Sequence, residues 1–152
     1  MAKTKPKSTV KPIVKKSLAR SYVAPLLEEV GIELTYEEVD FKPVPNGLYS
    51  DVCVLVPELN HLNQQQVLLN HRTVHEFYCG FSVKMPAGFR LRAEIKPYWA
   101  GRELVLSSGY LDENNRFKLI VVNTGQESPL IIAHKAEIAR IWVEPAYSIN
   151  WS

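Results

Sequence analysis

Short runs in which apolar and polar residues alternate dominate the chain from Phe77 to Pro145. Phe81 to Pro97 alternates on either side of Pro86-Ala87-Gly88, which predicts two strands joined as a hairpin. Phe117 to Asn123, Leu130 to Ala133 and Ile138 to Val143 follow as three more strand-length runs, separated by turn residues. That rhythm belongs to an antiparallel β barrel or sandwich. Upstream, Asp51 to Val56 predicts a strand that Pro57 ends, and the polar loop Glu58 to Asn70, with His61, Asn63, Gln64, Gln65 and Gln66, contains a strand around Val67 to Leu69. Ile32 to Val44 alternates loosely with Glu33, Glu37, Glu38 and Asp40, as an edge strand or extended connector closed by a turn at Pro43, Pro45, Asn46 and Gly47. Between Ser17 and Gly31 the fourfold spacing of Leu18, Tyr22, Leu26 and Val30 predicts a short helix, with Pro25 opening its last segment and Gly31 stopping it.

Composition limits the architecture to one domain: 152 residues that are 46% hydrophobic build one core and are too few for two comfortable ones. We divide the chain into an arm (1–20), a short helix and connector (21–45) and a β domain (46–152). No run of about 20 apolar residues is present, so no helix is expected to span a membrane, and the N-terminus has no apolar core of a secretory signal. Cys53 and Cys79 lie in strand-like surroundings without a CxxC spacing, which points to buried, reduced thiols and leaves a disulfide between them open.

The formal net charge of +2 conceals a split. The arm holds Lys3, Lys5, Lys7, Lys11, Lys15, Lys16 and Arg20 and no acid, leaving 11 basic against 16 acidic residues in the remainder. The arm also has Pro6, Pro12, Ser8 and Thr9 and no aromatic, so it is expected to be extended or disordered in isolation. It is either a solubilising tail or an electrostatic arm for an acidic protein surface or nucleic-acid phosphates.

Other candidate chemistry is sparse. His71 and His75 are four apart, but their surroundings read as strand and turn, no third ligand is near, and the glutamate of a zinc-protease motif is missing, so no metal site is assigned. Arg90, Arg92, Lys96 and Arg102 interleave with Tyr98 and Trp99 in the manner of a single-strand nucleic-acid groove. Alternation with Glu94 gives the ordinary alternative of a solvated outer strand face. Tyr98, Trp99 and Trp151 are candidate packing or partner-binding anchors, and Ala146 to Ser152 could add as a strand to a neighbour.

Four pieces in serial order carry a resemblance: the turn Met85-Pro86-Ala87-Gly88-Phe89, the loop Gly109-Tyr110-Leu111-Asp112, the strand end Val121-Val122-Asn123-Thr124-Gly125, and the closing strand Glu137 to Pro145. Asn46 to Val52 adds a weaker fifth. Over roughly residues 46 to 145 the chain resembles the dUTPase and dCTP deaminase superfamily. The resemblance implies an all-β fold, a distorted β barrel or jelly roll, here with an extended basic N-terminal arm and a short N-terminal helix. It also implies a homotrimer, magnesium-assisted action on dUTP or dCTP, and a role for Asp112 in orienting the attacking water. The departures bear on that activity. Where the family has Pro-Arg-Ser-Gly, this chain has Pro97-Tyr98-Trp99-Ala100, which lacks the phosphate-binding arginine and serine. Only Ala146 to Ser152 follow Pro145, so no arginine-containing lid is expected, the Pro97 to Gly109 interval is short, and Glu113, Asn114 and Asn115 offer no base-stacking aromatic. Asp112 is the one catalytic candidate, and its ordinary alternative is a polar hairpin tip.

Three readings follow. The first is a non-catalytic dUTPase-like trimer acting as a binding or structural module, such as a capsid decoration or cement protein that meets a coat or shell protein through its basic arm, with no cofactor. The second is a magnesium-dependent nucleotide hydrolase or deaminase. The third is a nucleic-acid-binding or regulatory protein. The expected setting is the virion or the cytoplasm.

Overall fold

The computed structural model describes residues 27–126 and 129–146. Besides 3-10 turns at Leu27–Val30 and Val39–Phe41, ten strands and one α-helical turn follow in order: β1 (Glu33–Tyr36), β2 (Val44–Asn46), β3 (Tyr49–Cys53), β4 (Gln66–Leu69), β5 (Val74–Lys84), β6 (Phe89–Ile95), α1 (Pro97–Ala100), β7 (Leu104–Leu111), β8 (Arg116–Asn123), β9 (Leu130–Ala133) and β10 (Glu137–Pro145). They form two antiparallel four-stranded sheets, ordered β1-β5-β8-β7 and β2-β3-β10-β6, and a small β4-β9 pair. This is the all-β architecture that the alternation predicts. The runs at Phe117, Leu130 and Ile138 are β8, β9 and β10.

The hairpin expected across Phe81 to Pro97 is not formed. β5 pairs with β1 and β8 in the first sheet, and β6 pairs with β10 in the second. The Pro86-Ala87-Gly88 turn therefore carries the chain over the edge of the sandwich. The reason lies in the apolar faces: Phe81 and Val83 of β5 and the inner residues Leu91, Ala93 and Ile95 of β6 all enter one core from opposite sheets. A Cβ built on Gly109 of β7 would stand 3.0 Å from the Ala93 methyl, so the sheets touch closely at that point.

Β-sheet edges fall where the sequence places its prolines and charges. Glu33–Tyr36 forms an edge strand on β5, as the loose alternation predicts. Instead of a simple turn at Pro43 to Gly47, Val44–Asn46 pairs with β3 and the chain reverses at Gly47-Leu48; Pro45 is tolerated because β2 has a neighbour on one side only. Of the helix expected between Ser17 and Gly31, residues 17–26 lie outside the described residues, and Leu27–Val30 is a single 3-10 turn. Leu27 is nevertheless anchored, 5% exposed, in the same core as Phe77, Leu119, Ile138 and Ile141. Each such fully buried side chain contributes about 1.5–3 kcal/mol. Cys53 and Cys79 are free thiols inside this core. Burial, with Glu137 nearby, pushes the Cys53 thiol up to about 11, and burial raises Cys79 well above the ordinary thiol value.

Candidate functional site

Asp112 sits at the tip of the β7-β8 hairpin, where Asp112-Glu113-Asn114-Asn115 reverses the chain and Asn115 takes φ 62°. Its side chain is the organiser of that turn. One carboxylate oxygen accepts from the backbone N–H of Asn114 (2.8 Å) and of Arg116 (2.9 Å), and the other accepts from Arg116 Nε (3.0 Å) and lies 3.4 Å from Lys118 Nζ. Desolvation acts to raise its pKa, but the backbone donors of Arg116 and Asn114 and the two cationic side chains outweigh it and bring the carboxyl down to about 2. A carboxyl lowered on folding stabilises the fold above its unfolded value near 3.8 and loses that contribution as pH falls through about 2. Asp112→Asn is accordingly expected to flatten the stability profile between about pH 4 and pH 2, measured by urea unfolding; an unchanged slope in that window would contradict this role.

Strand pairing extends the hairpin cluster across the outer face of the first sheet. Tyr78, Lys118 and Tyr110 stand in register on β5, β8 and β7. Tyr110 donates its hydroxyl to Glu76, which raises the phenol pKa, and Lys118 lies 3.9 Å from the same glutamate. Burial, then the Tyr78 hydroxyl bond to Glu37 (3.1 Å), raises Tyr78. Beside this row, an open cleft of about 480 Å³ runs along β5, with Phe77, His75, Leu55 and Val67 in its walls and Glu58, Glu76 and Lys118 in its lining. Burial lowers the His75 pKa. The sequence singled out neither Glu76 nor Lys118, and named Tyr110 only as part of the loop that leads to Asp112. Their outward parity on strands is legible, but their juxtaposition depends on which strands pair.

The other expected site residues are dispersed. Tyr98 and Trp99 occupy α1; Tyr98 is 58% exposed with Arg102 stacked 3.6 Å above its ring, while Trp99 packs against the core and donates Nε1–H to the Glu137 carbonyl at 3.2 Å. Arg90 and Arg92 both pair with Glu144, Arg140 pairs with Glu94, and Lys96 bridges Asp51 (3.2 Å) and Glu137 (3.3 Å). The basic residues of β6 are thus engaged with acids on the outer face of the second sheet. Asp51 is buried: one oxygen takes Lys96 and Asn46 Nδ2 (3.0 Å), and the other has no hydrogen-bond partner among the described residues. His71 Nδ1 is 2.6 Å from the Gly125 carbonyl, whereas His75 packs on Phe77, so the two histidines serve separate contacts. Lys3, Lys5, Lys7, Lys11, Lys15, Lys16, Arg20 and Trp151 lie outside the described residues.

These groups do not fit a magnesium ion at Asp112. Both of its oxygens face N–H donors or cationic nitrogens, which would repel a divalent cation, and no group of three His, Cys, Asp or Glu converges among the described residues.

No protein-family model matches this sequence, and no curated protein matches it. Solved structures do. The EIAV dUTPase superposes with a TM-score of 0.61 at 13% identity, covering 80% of this chain and 93% of its own. The dUTPase of phage phi11 of S. aureus gives 0.64 at 11% identity, over 80% and 94%. The dUTPase of Staphylococcus bacteriophage 80alpha gives the same values. With the sheet order and hairpin described above, these superpositions identify the architecture: the chain has the dUTPase-like fold.

Proposed function

We propose that this chain is a non-catalytic, trimeric binding module on the dUTPase-like fold, used as a structural component of a larger assembly such as a virus coat and docked there through its basic arm. The observation that carries this reading is the engagement of Asp112. A general base needs an available lone pair and a substrate held against it. Asp112 gives its oxygens to its own hairpin and to Arg116 and Lys118. At the position of the family's phosphate-binding signature, α1 presents a cation-stacked tyrosine and a core-packed tryptophan. Neither side chain supplies the charge-assisted donors that a triphosphate requires.

A second reading, a hydrolase or deaminase acting on dUTP or dCTP, is favoured by the superposition on dUTPases. The 80alpha dUTPase is described as controlling the transfer of virulence genes by a proto-oncogenic G protein-like mechanism. A regulatory role of that kind belongs to the third reading, a nucleic-acid-binding or regulatory protein. The deciding experiment incubates the purified full chain with dUTP or dCTP and magnesium. The expected outcome is no release of pyrophosphate or ammonia, together with sedimentation as a trimer and co-purification with a shell protein. Turnover that disappears in Asp112→Asn would establish the enzyme instead, and a stable monomer without a protein partner would count against the module.

A further inference from the structure

The edge of β5 is paired along its later half and open along its earlier half. Glu33–Tyr36 covers residues 81–84, Glu37 N–H donates to the Gly80 carbonyl (2.9 Å), and Leu55 N–H donates to the Tyr78 carbonyl (2.8 Å). By strand alternation the backbone groups of Glu76 and Val74 point to this same edge. They have no backbone partner among the described residues. The pairing ends at a proline: Pro57, which would face Glu76 in the continued register, has no N–H to offer. Val56, between Leu55 and Pro57, faces away from β5, its N–H donating to His134 Nδ1 (3.0 Å) and its carbonyl accepting from Gln65 Nε2 (3.0 Å). The cleft described above is the gap that results, with an unpaired strand edge along one wall and apolar side chains within.

We propose that this edge is completed by strand addition of the chain's own basic arm, through the segment Val10-Lys11-Pro12-Ile13-Val14-Lys15. Three observations converge on that occupant. In an extended segment Val10, Pro12 and Val14 share one face, which continues the side of Phe77 and His75, while Lys11, Ile13 and Lys15 take the other, which continues the side of Glu76. Pro12 then directs its missing N–H away from β5, and Lys11, Ile13 and Lys15 direct theirs towards it, the arrangement an edge strand with proline requires. Charge is complementary: the arm is purely basic, the remainder of the chain is net acidic, and two acids, Glu58 and Glu76, line the cleft against one cation, Lys118, which is shared between Asp112 (3.4 Å) and Glu76 (3.9 Å). The tether is long enough. Residues 16–26, between Lys15 and the core-anchored Leu27, reach about 20 Å with 17–26 in the expected helix and more if extended, against a radius of gyration of about 15 Å for a domain of this size. This addition stands whether or not the protein hydrolyses nucleotides, and it leaves Lys3, Lys5 and Lys7, ahead of the added strand, for the docking proposed above.

The test is amide hydrogen exchange on the full chain, resolved by residue. The Glu76 and Val74 amides are expected to exchange about a hundredfold more slowly than free-chain amides, and Val14→Asp is expected to remove most of that protection while the Leu119 amide, inside the β8 ladder, is unaffected. Protection that is independent of protein concentration assigns the arm to its own subunit, and protection that rises with concentration assigns it to a neighbouring copy; either supports strand addition. Free-chain exchange at Glu76 in the native protein overturns the proposal. So does protection that survives in both Val14→Asp and Lys11→Glu, because something other than the arm then covers the edge.

Discussion

Gly80→Ala is expected to destabilise the protein by about 3–5 kcal/mol, the sum of left-handed backbone strain and overpacking in a closed core. Gly80 has φ +79° and lies in the bulge where β5 shifts its register on β8 between Tyr78 and Ser82. A Cβ there would fall 2.3 Å from the Phe41 ring, a separation that carbon atoms do not tolerate. Phe41 has little room to retreat. It is 1% exposed, and His134 packs on it with ring centroids 5.6 Å apart. Urea unfolding measures the loss, and a change below about 1 kcal/mol would show that the bulge relaxes freely. Phe41→Ala combined with Gly80→Ala should cost less than the two singles added, since removal of the ring removes the collision.

The second large effect falls at Asn123, the fully buried residue that ends β8. Its amide nitrogen donates to the Leu69 carbonyl (2.8 Å), and its side-chain oxygen accepts from the Gly125 N–H (2.9 Å). One side chain thereby fastens β8 to the end of β4 and closes the turn that follows. Asn123→Leu keeps the branched outline of the side chain but strands a carbonyl and an N–H, each costing about 1–3 kcal/mol when buried without a partner. A loss of about 3 kcal/mol in chemical unfolding is expected, and an effect within experimental scatter of zero would mean that other groups satisfy both atoms.

These two residues illustrate what local sequence can carry. A glycine within an apolar strand pattern is a recognised sign of a bulge, but nothing around Gly80 names Phe41, which arrives from a different part of the chain. Asn123 belongs to the strand-end piece of the dUTPase resemblance, yet its bond to Leu69 exists only because β4 and β8 meet. Asp112 was legible as a candidate, and its surroundings were not. Arg116 follows it closely enough to be foreseen, whereas Lys118 acts on it only after the β7-β8 hairpin fixes the register.

By itself the sequence determined which residues turn inward and where the strands break, because side-chain alternation and the missing N–H of proline act over a few neighbouring residues. It also determined the division between a basic arm and an acidic body, which depends on composition alone. The tertiary structure decided the partners. Pro86-Ala87-Gly88 joins two sheets because the apolar faces of β5 and β6 meet across the core, and the open edge beside Pro57 follows from the pairing of Leu55 with Tyr78, which sets a proline opposite Glu76. Period-two patterning fixes the face of a strand and leaves its neighbour undetermined; that choice is made by packing between residues far apart in the chain.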